Sequence, residues 1–218
     1  MVNYVKLLLA IASVLMLSTL AVAVPESSQL GPFVVSFDMN TNLEHQLRVM
    51  PAFQTPTATI YGMEIFTDNN TKAVLAINQY NGPTDSTLGL YKQLSAMDVA
   101  LNFFNVTNVV DRTIDGMEGY LLTSVPIEQN TRVPAGTMLY RASYWLDSTK
   151  CPCGPVSVGT TSIDLTSSYP QDATENLLNS LHVVKGQAAA TPAAAPVAAP
   201  MSQDMPPAQN MPPAQTGY

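Results

Sequence analysis

The chain of 218 residues is poor in charge: Asp, Glu, Lys and Arg together make up 11% of it, against about 25% in an average domain. Its surface must therefore be covered largely by Thr, Ser, Asn and Gln. Cations are scarcest, with nine Lys and Arg against 16 Asp and Glu and a net charge of −7. A chain this acidic is no electrostatic partner for nucleic acid or for an anionic membrane surface. Histidine occurs twice, as His45 and His182. No HExxH pair, nucleophile elbow or Walker loop accompanies them, which removes the well-marked enzyme classes. His45, in Asn42-Leu43-Glu44-His45-Gln46, reads as a loop or strand-edge residue. His182 reads as a helix-terminal residue meeting the end dipole. No glycine-rich loop follows any strand pattern, which argues against nucleotide binding. The single tryptophan, Trp145, lies in an apolar strand run and reads as a core residue. Glycoside hydrolysis, which sets paired carboxylates in an aromatic-lined cleft, finds little support.

What is present begins with an address. Lys6 precedes an apolar run from Leu7 to Leu20, closed by Ala21-Val22-Ala23, the small-x-small pattern that signal peptidase cuts after. Two readings stay open, a cleaved signal peptide over 1–23 and an uncleaved anchor, since the run is just long enough to cross a bilayer. The Ala-x-Ala box favours cleavage, and membrane contact is expected only through this segment. The destination is extracytoplasmic, either secreted or at the cell surface. Residues 24–29 form a short leader, 30–185 a globular domain, and 186–218 a tail of Ala, Pro, Gln and Met. The tail repeats Met205-Pro206-Pro207-Ala208-Gln209 as Met211-Pro212-Pro213-Ala214-Gln215. Its composition predicts a disordered, partly extended spacer.

Within the domain, period-2 patterns predict strands at Phe33–Asp38, Gln46–Phe53, Thr57–Phe66, Lys72–Tyr80, Asn108–Ile114, Gly119–Pro126, Met138–Leu146 and Val156–Leu165. Three- and four-residue steps through Leu88, Tyr91, Leu94, Met97, Leu101 and Phe104 predict an amphipathic helix over 86–104, capped by Asp85 or Ser86. A second helix is expected over 170–184, with Ala173, Leu177, Leu178, Leu181 and Val184 as its buried stripe. Short connections without βαβ alternation predict an α+β fold: a mostly antiparallel sheet with two main helices packed on one face.

The closing pattern Ser167-Ser168-Tyr169-Pro170, followed by Glu175-Asn176-Leu177-Leu178-Asn179-Ser180-Leu181, resembles the end of PsbP-like domains, and the opening Phe33–Asp38 strand is similar. The resemblance implies an extracytoplasmic α+β module, with no function attached to it.

Several constellations carry candidate chemistry. Cys151-Pro152-Cys153 presents two soft ligands, and Met201, Met205 and Met211 add thioethers, a set suited to Cu(I). The competing reading is a bridge between Cys151 and Cys153 that stiffens a Pro/Gly loop, although so small a ring is far from comfortable disulfide geometry. Asp111, Asp115 and Glu118 form the densest acidic group, a Ca²⁺ candidate or an ordinary hairpin turn. Asn69-Asn70-Thr71 and Asn105-Val106-Thr107 are glycosylation sequons in an exported chain. Three readings follow. The first is a non-enzymatic surface or envelope interaction protein with a protein or glycan partner. The second is an extracytoplasmic copper-binding protein, and the third a secreted hydrolase with an unmarked site.

Overall fold

Alternation of buried and exposed residues organises most of the molecule, because successive side chains of a strand point to opposite faces of its sheet. The computed structural model describes residues 25–41, 43–67, 71–152 and 154–186. Eleven strands occur among these: β1 (Glu26–Leu30), β2 (Phe33–Phe37), β3 (Gln46–Gln54), β4 (Ala58–Phe66), β5 (Lys72–Asp85), β6 (Phe104–Ile114), β7 (Met117–Pro126), β8 (Leu139–Trp145), β9 (Thr149–Lys150), β10 (Ser157–Ser167) and β11 (His182–Lys185). Two helices join them, α1 (Leu88–Leu101) and α2 (Gln171–Ser180). Seven strands run in the order β3-β4-β5-β10-β8-β7-β6, with β9 paired to β10. A second sheet has the order β1-β2-β11. All pairings are antiparallel.

This architecture corrects the expected α+β class. The protein is sheet-dominated, and its two helices lie on opposite faces of the large sheet. The alternation in β7 decides the faces. Leu121 joins the main core with Ile163 and Leu165, where Ala173, Leu177 and Leu178 of α2 also pack. Its neighbours Tyr120 and Leu122 point the other way, into a smaller cluster with Val99 of α1. The main core lies between the large sheet and the small one, whose Leu30, Phe33, Val35, Phe37 and Val183 are buried. Gly31, at φ +57°, makes the β1–β2 turn, and a Cβ there would stand 2.2 Å from Tyr61 Cε1. The turn therefore needs glycine both for its backbone and for the aromatic ring beside it.

The expected helix over 170–184 stops at Ser180 and gives way to β11. The Ser180 hydroxyl accepts from the Asp38 N–H (2.8 Å) and lies 2.7 Å from the Asn176 carbonyl, competing for the helix's own acceptor. Beyond it, Val183 pairs with Val35 of β2. Leu181 is buried as expected, but within β11 only Val183 is buried, and Val184, expected inside, is exposed. Trp145 is buried as expected, on the outer face, stacked on Tyr80 (5.5 Å) and met edge-on by Tyr91 of α1 (5.2 Å).

Candidate functional site

α1 begins where β5 ends. The Asp85 carboxylate accepts the Thr87 N–H (2.8 Å), and the Thr87 hydroxyl accepts the Ser157 N–H (3.1 Å), so the first turn is pinned to β10. The Thr87 hydroxyl and amide together hold the Asp85 carboxyl below the usual range. The helix then crosses β6 and β7. Three polar contacts fix its rotation: Lys92 with Asp111 (2.6 Å), Ser95 with the Tyr120 hydroxyl (2.8 Å), and Asp98 with Arg141.

That rotation turns the richest apolar stripe away from the sheet. Ser95 and Val99 are the buried residues of α1, with Leu88, Tyr91 and Ala96 half-buried beside them. Leu90 (40% exposed), Leu94 (50%), Met97 (60%) and Leu101 (76%) form a ridge along the solvent side. Their spacing of four, three and four residues is that of a coiled-coil seam. The expected helix over 86–104 is shorter: of the residues whose spacing predicts it, Leu88 and Tyr91 face the protein, Leu94, Met97 and Leu101 face solvent, and Phe104 lies beyond the helix as the first residue of β6. The stripe mixed two faces, because in a helix with apolar residues almost all round, step lengths alone do not choose one. The spacing alone does not single out Leu90 and Phe103. The signal that finds them is the position of Lys92, Ser95 and Asp98, which reach strand partners only if the ridge points outward.

Phe103 ends the ridge in a strained conformation. It follows the C-cap Asn102 at φ +63°, a position where helices favour glycine, and its ring is 53% exposed. Its carbonyl accepts the Ile127 N–H (3.0 Å), which sets the exposed Ile127 beside it. A large aromatic kept in the left-handed region without burial is the kind of local cost that clusters at functional surfaces.

Beside α1 the outer face is polar. Asp164 of β10 accepts from Asn78 Nδ2 (2.6 Å), with Ser162, Ser143 and Arg141 around it. Burial pushes its carboxyl above the ordinary range, against hydrogen bonds and the Arg141 charge that pull it down. These neighbours occupy the carboxylate, and the arrangement reads as a polar floor that locks the strands together.

The other candidates separate. His45 lies in an open cleft of about 580 Å³ with Glu26, Thr41, Leu43 and Glu44. Its Nε2 meets Glu26 (2.6 Å) and its Nδ1 the Leu43 carbonyl (3.0 Å), so both ring nitrogens are engaged. His182 belongs to β11, not to a helix end, and its Nδ1 meets Asp115 (2.6 Å). Of the acidic group, Asp111 and Glu118 line one cleft with Leu88 and Thr113, whereas Asp115 turns away to β11. Asp111 pairs with Lys92, and Asp115 accepts from the Val183 N–H (2.8 Å) and lies 3.4 Å from the Tyr144 hydroxyl. Among the described residues no three His, Cys, Asp or Glu side chains gather closely enough to hold a metal ion. Cys151 is disulfide-bonded, so it offers no free thiolate. Cys153, Met201, Met205, Met211 and Asn69 lie outside the described residues. Asn105 is exposed near the start of β6. No described helix is long and apolar enough to cross a membrane.

Compared with known proteins, the chain matches no family model, no curated protein and no solved structure.

Proposed function

We propose that this is an exported, non-enzymatic interaction protein that works outside the cytoplasm and docks a partner on the apolar ridge of α1. The exposed ridge carries the reading. Four large apolar side chains stand in water at regular helical spacing on a helix otherwise held by well-formed polar contacts. Contiguous apolar surface of this kind marks interaction sites. The export signal, the acidic balance and the sequons support an extracytoplasmic destination. The histidines are engaged by carboxylates, without the nucleophile–base geometry that hydrolysis needs.

Oxidation of Met97 tests the docking element. In dilute purified protein, peroxide is expected to oxidise Met97 readily, given its 60% exposure. In the protein as it stands at its native location, Met97 is expected to be protected several-fold. The half-buried Met50, on the far sheet edge β3, serves as the reference. Equal oxidation in both settings overturns the docking reading. Hydrolase turnover that survives purification overturns the non-enzymatic one.

A further inference from the structure

We infer that the partner on the α1 ridge is a second copy of this chain, paired antiparallel across a two-fold axis; this rests on the docking reading above. A two-fold interface brings the same patch of both protomers together, so the patch must be complementary to itself under reversal. The ridge meets that condition position by position. When two copies of α1 lie antiparallel about a point between Ser95 and Ala96, Leu90 stands level with Leu101 of the other copy, and Leu94 with Met97. Phe103 then comes level with the first turn of the other copy, where Gly89 has open space beside it.

Charge does not oppose this arrangement. α1 carries one cation, Lys92, and one anion, Asp98, and both are paired with the strands beneath the helix, Lys92 with Asp111 and Asp98 with Arg141, so neither leaves an unpaired charge on the ridge. Antiparallel pairing also aligns the helix dipoles favourably. A membrane surface fits less well. The only cation on the helix is already paired with Asp111, and the chain is net negative, whereas interfacial helices gain from basic flanks over anionic lipid.

Area sets the strength. The exposed parts of Leu90, Leu94, Met97, Leu101 and Phe103 amount to on the order of 500 Å² per protomer, so the pair buries about 1,000 Å², the lower end for a specific interface. The dimer is therefore reversible and concentration-dependent, with dissociation expected in the micromolar range or weaker. The left-handed Phe103 fits the same picture, since a ring there extends the seam by one more contact at each end.

Sedimentation of the purified exported protein across micromolar to sub-millimolar concentration is expected to show a monomer–dimer equilibrium. Leu94→Glu and Leu101→Glu should each weaken it at least tenfold, with an unchanged circular dichroism spectrum. Orientation is read by disulfide trapping. A mixture of Leu90→Cys and Leu101→Cys proteins should form the mixed dimer, because these positions oppose each other. Either variant alone should not, since identical positions stand 11 residues apart, about 16 Å along the axis, beyond disulfide reach. Trapping of identical positions, or a dimer that survives both glutamate substitutions, overturns the proposal. So does a protein that stays monomeric throughout. If in that case Met97 is still protected at the native location, docking stands with a different occupant; if it is not, both readings fall together.

Discussion

The two helices of this protein solve opposite problems. α2 places its apolar residues inward, with Ala173, Leu177 and Leu178 buried against the main core and Gln171, Asp172 and Asn179 outside. Arg112, from the core face of β6, ties it down through Glu175 and Asn179. α1 turns a serine and a valine inward and three of its four leucines outward. Hydrophobic burial holds α2, whereas polar contacts and a pinned first turn hold α1. Apolar residues on α2 therefore serve stability, and those on the α1 ridge are free to serve something else.

Parallel truncations break or sharpen that contrast. Leu177→Ala removes a side chain that is 1% exposed in the main core and is expected to cost about 2–5 kcal/mol. Leu101→Ala, at 76% exposure, should change stability by no more than about 0.5 kcal/mol. Urea unfolding of both variants, at a concentration where the protein is monomeric, measures the difference. Similar losses would mean that the ridge is part of the core in solution, and the contrast would collapse.

The next largest effect concerns how β11 is held. Asp115 stands at φ +52° in the β6–β7 turn, its carboxylate accepts the Val183 N–H, and its side chain is 9% exposed. Asp115→Ala leaves that N–H without its acceptor in a half-buried site and removes a residue tolerant of the left-handed region. A loss of about 2 kcal/mol is expected. Asp115→Asn keeps the backbone preference and one acceptor and should recover part of it. Amide hydrogen exchange at Val183 separates the cases: Ala should accelerate it strongly and Asn mildly, and equal protection in all three proteins would remove Asp115 from this role.

Phe103→Gly carries the contrast to the end of α1. Glycine adopts φ +63° without strain, so the folded monomer should gain up to about 1 kcal/mol, while self-association weakens. A residue that costs the fold and helps the assembly is what a docking surface predicts. A destabilised monomer would show instead that the ring supports the fold.

Much of the sheet was legible because its causes are local. β2, β4, β5 and β7 announce themselves by alternation, and Leu121 against Leu122 is enough to separate two faces. What stayed hidden depends on distant partners. β11 continues the apolar spacing of α2 through Leu181 and Val184, and only the Ser180 hydroxyl on Asp38 and pairing with β2 turn it into a strand. β1 is polar along most of its length and is recognisable only from β2 beside it. The rotation of α1 is set by Asp111, Tyr120 and Arg141, all on strands that follow it in the chain. The ridge was therefore visible as spacing, and its exposure was not.

The smallest predicted effect tests the polar floor beside α1, and its sign can be worked out. Burial raises the Asp164 carboxyl above the ordinary value, about 3.9 for an unfolded chain. The folded state then holds a proton that the unfolded state has released. The contribution of Asp164 to stability is fully present below about pH 4 and declines as pH rises through the folded value. Asp164→Asn keeps a neutral side chain at every pH. The stability of the variant minus that of the parent should therefore be constant in acid, rise with pH above 4, and level off once Asp164 is ionised in both states. Asp85, held low by Thr87, has the opposite sign, with stability gained above the unfolded value and lost in acid. It is present in both proteins and cancels in the difference. Urea midpoints between pH 3.5 and 7 measure the curve. A flat difference would mean that Asp164 ionises as freely as in water and that the face beside α1 is open. A rising one would mark it as a sealed floor, leaving the apolar ridge as the surface of this helix that is open to a partner.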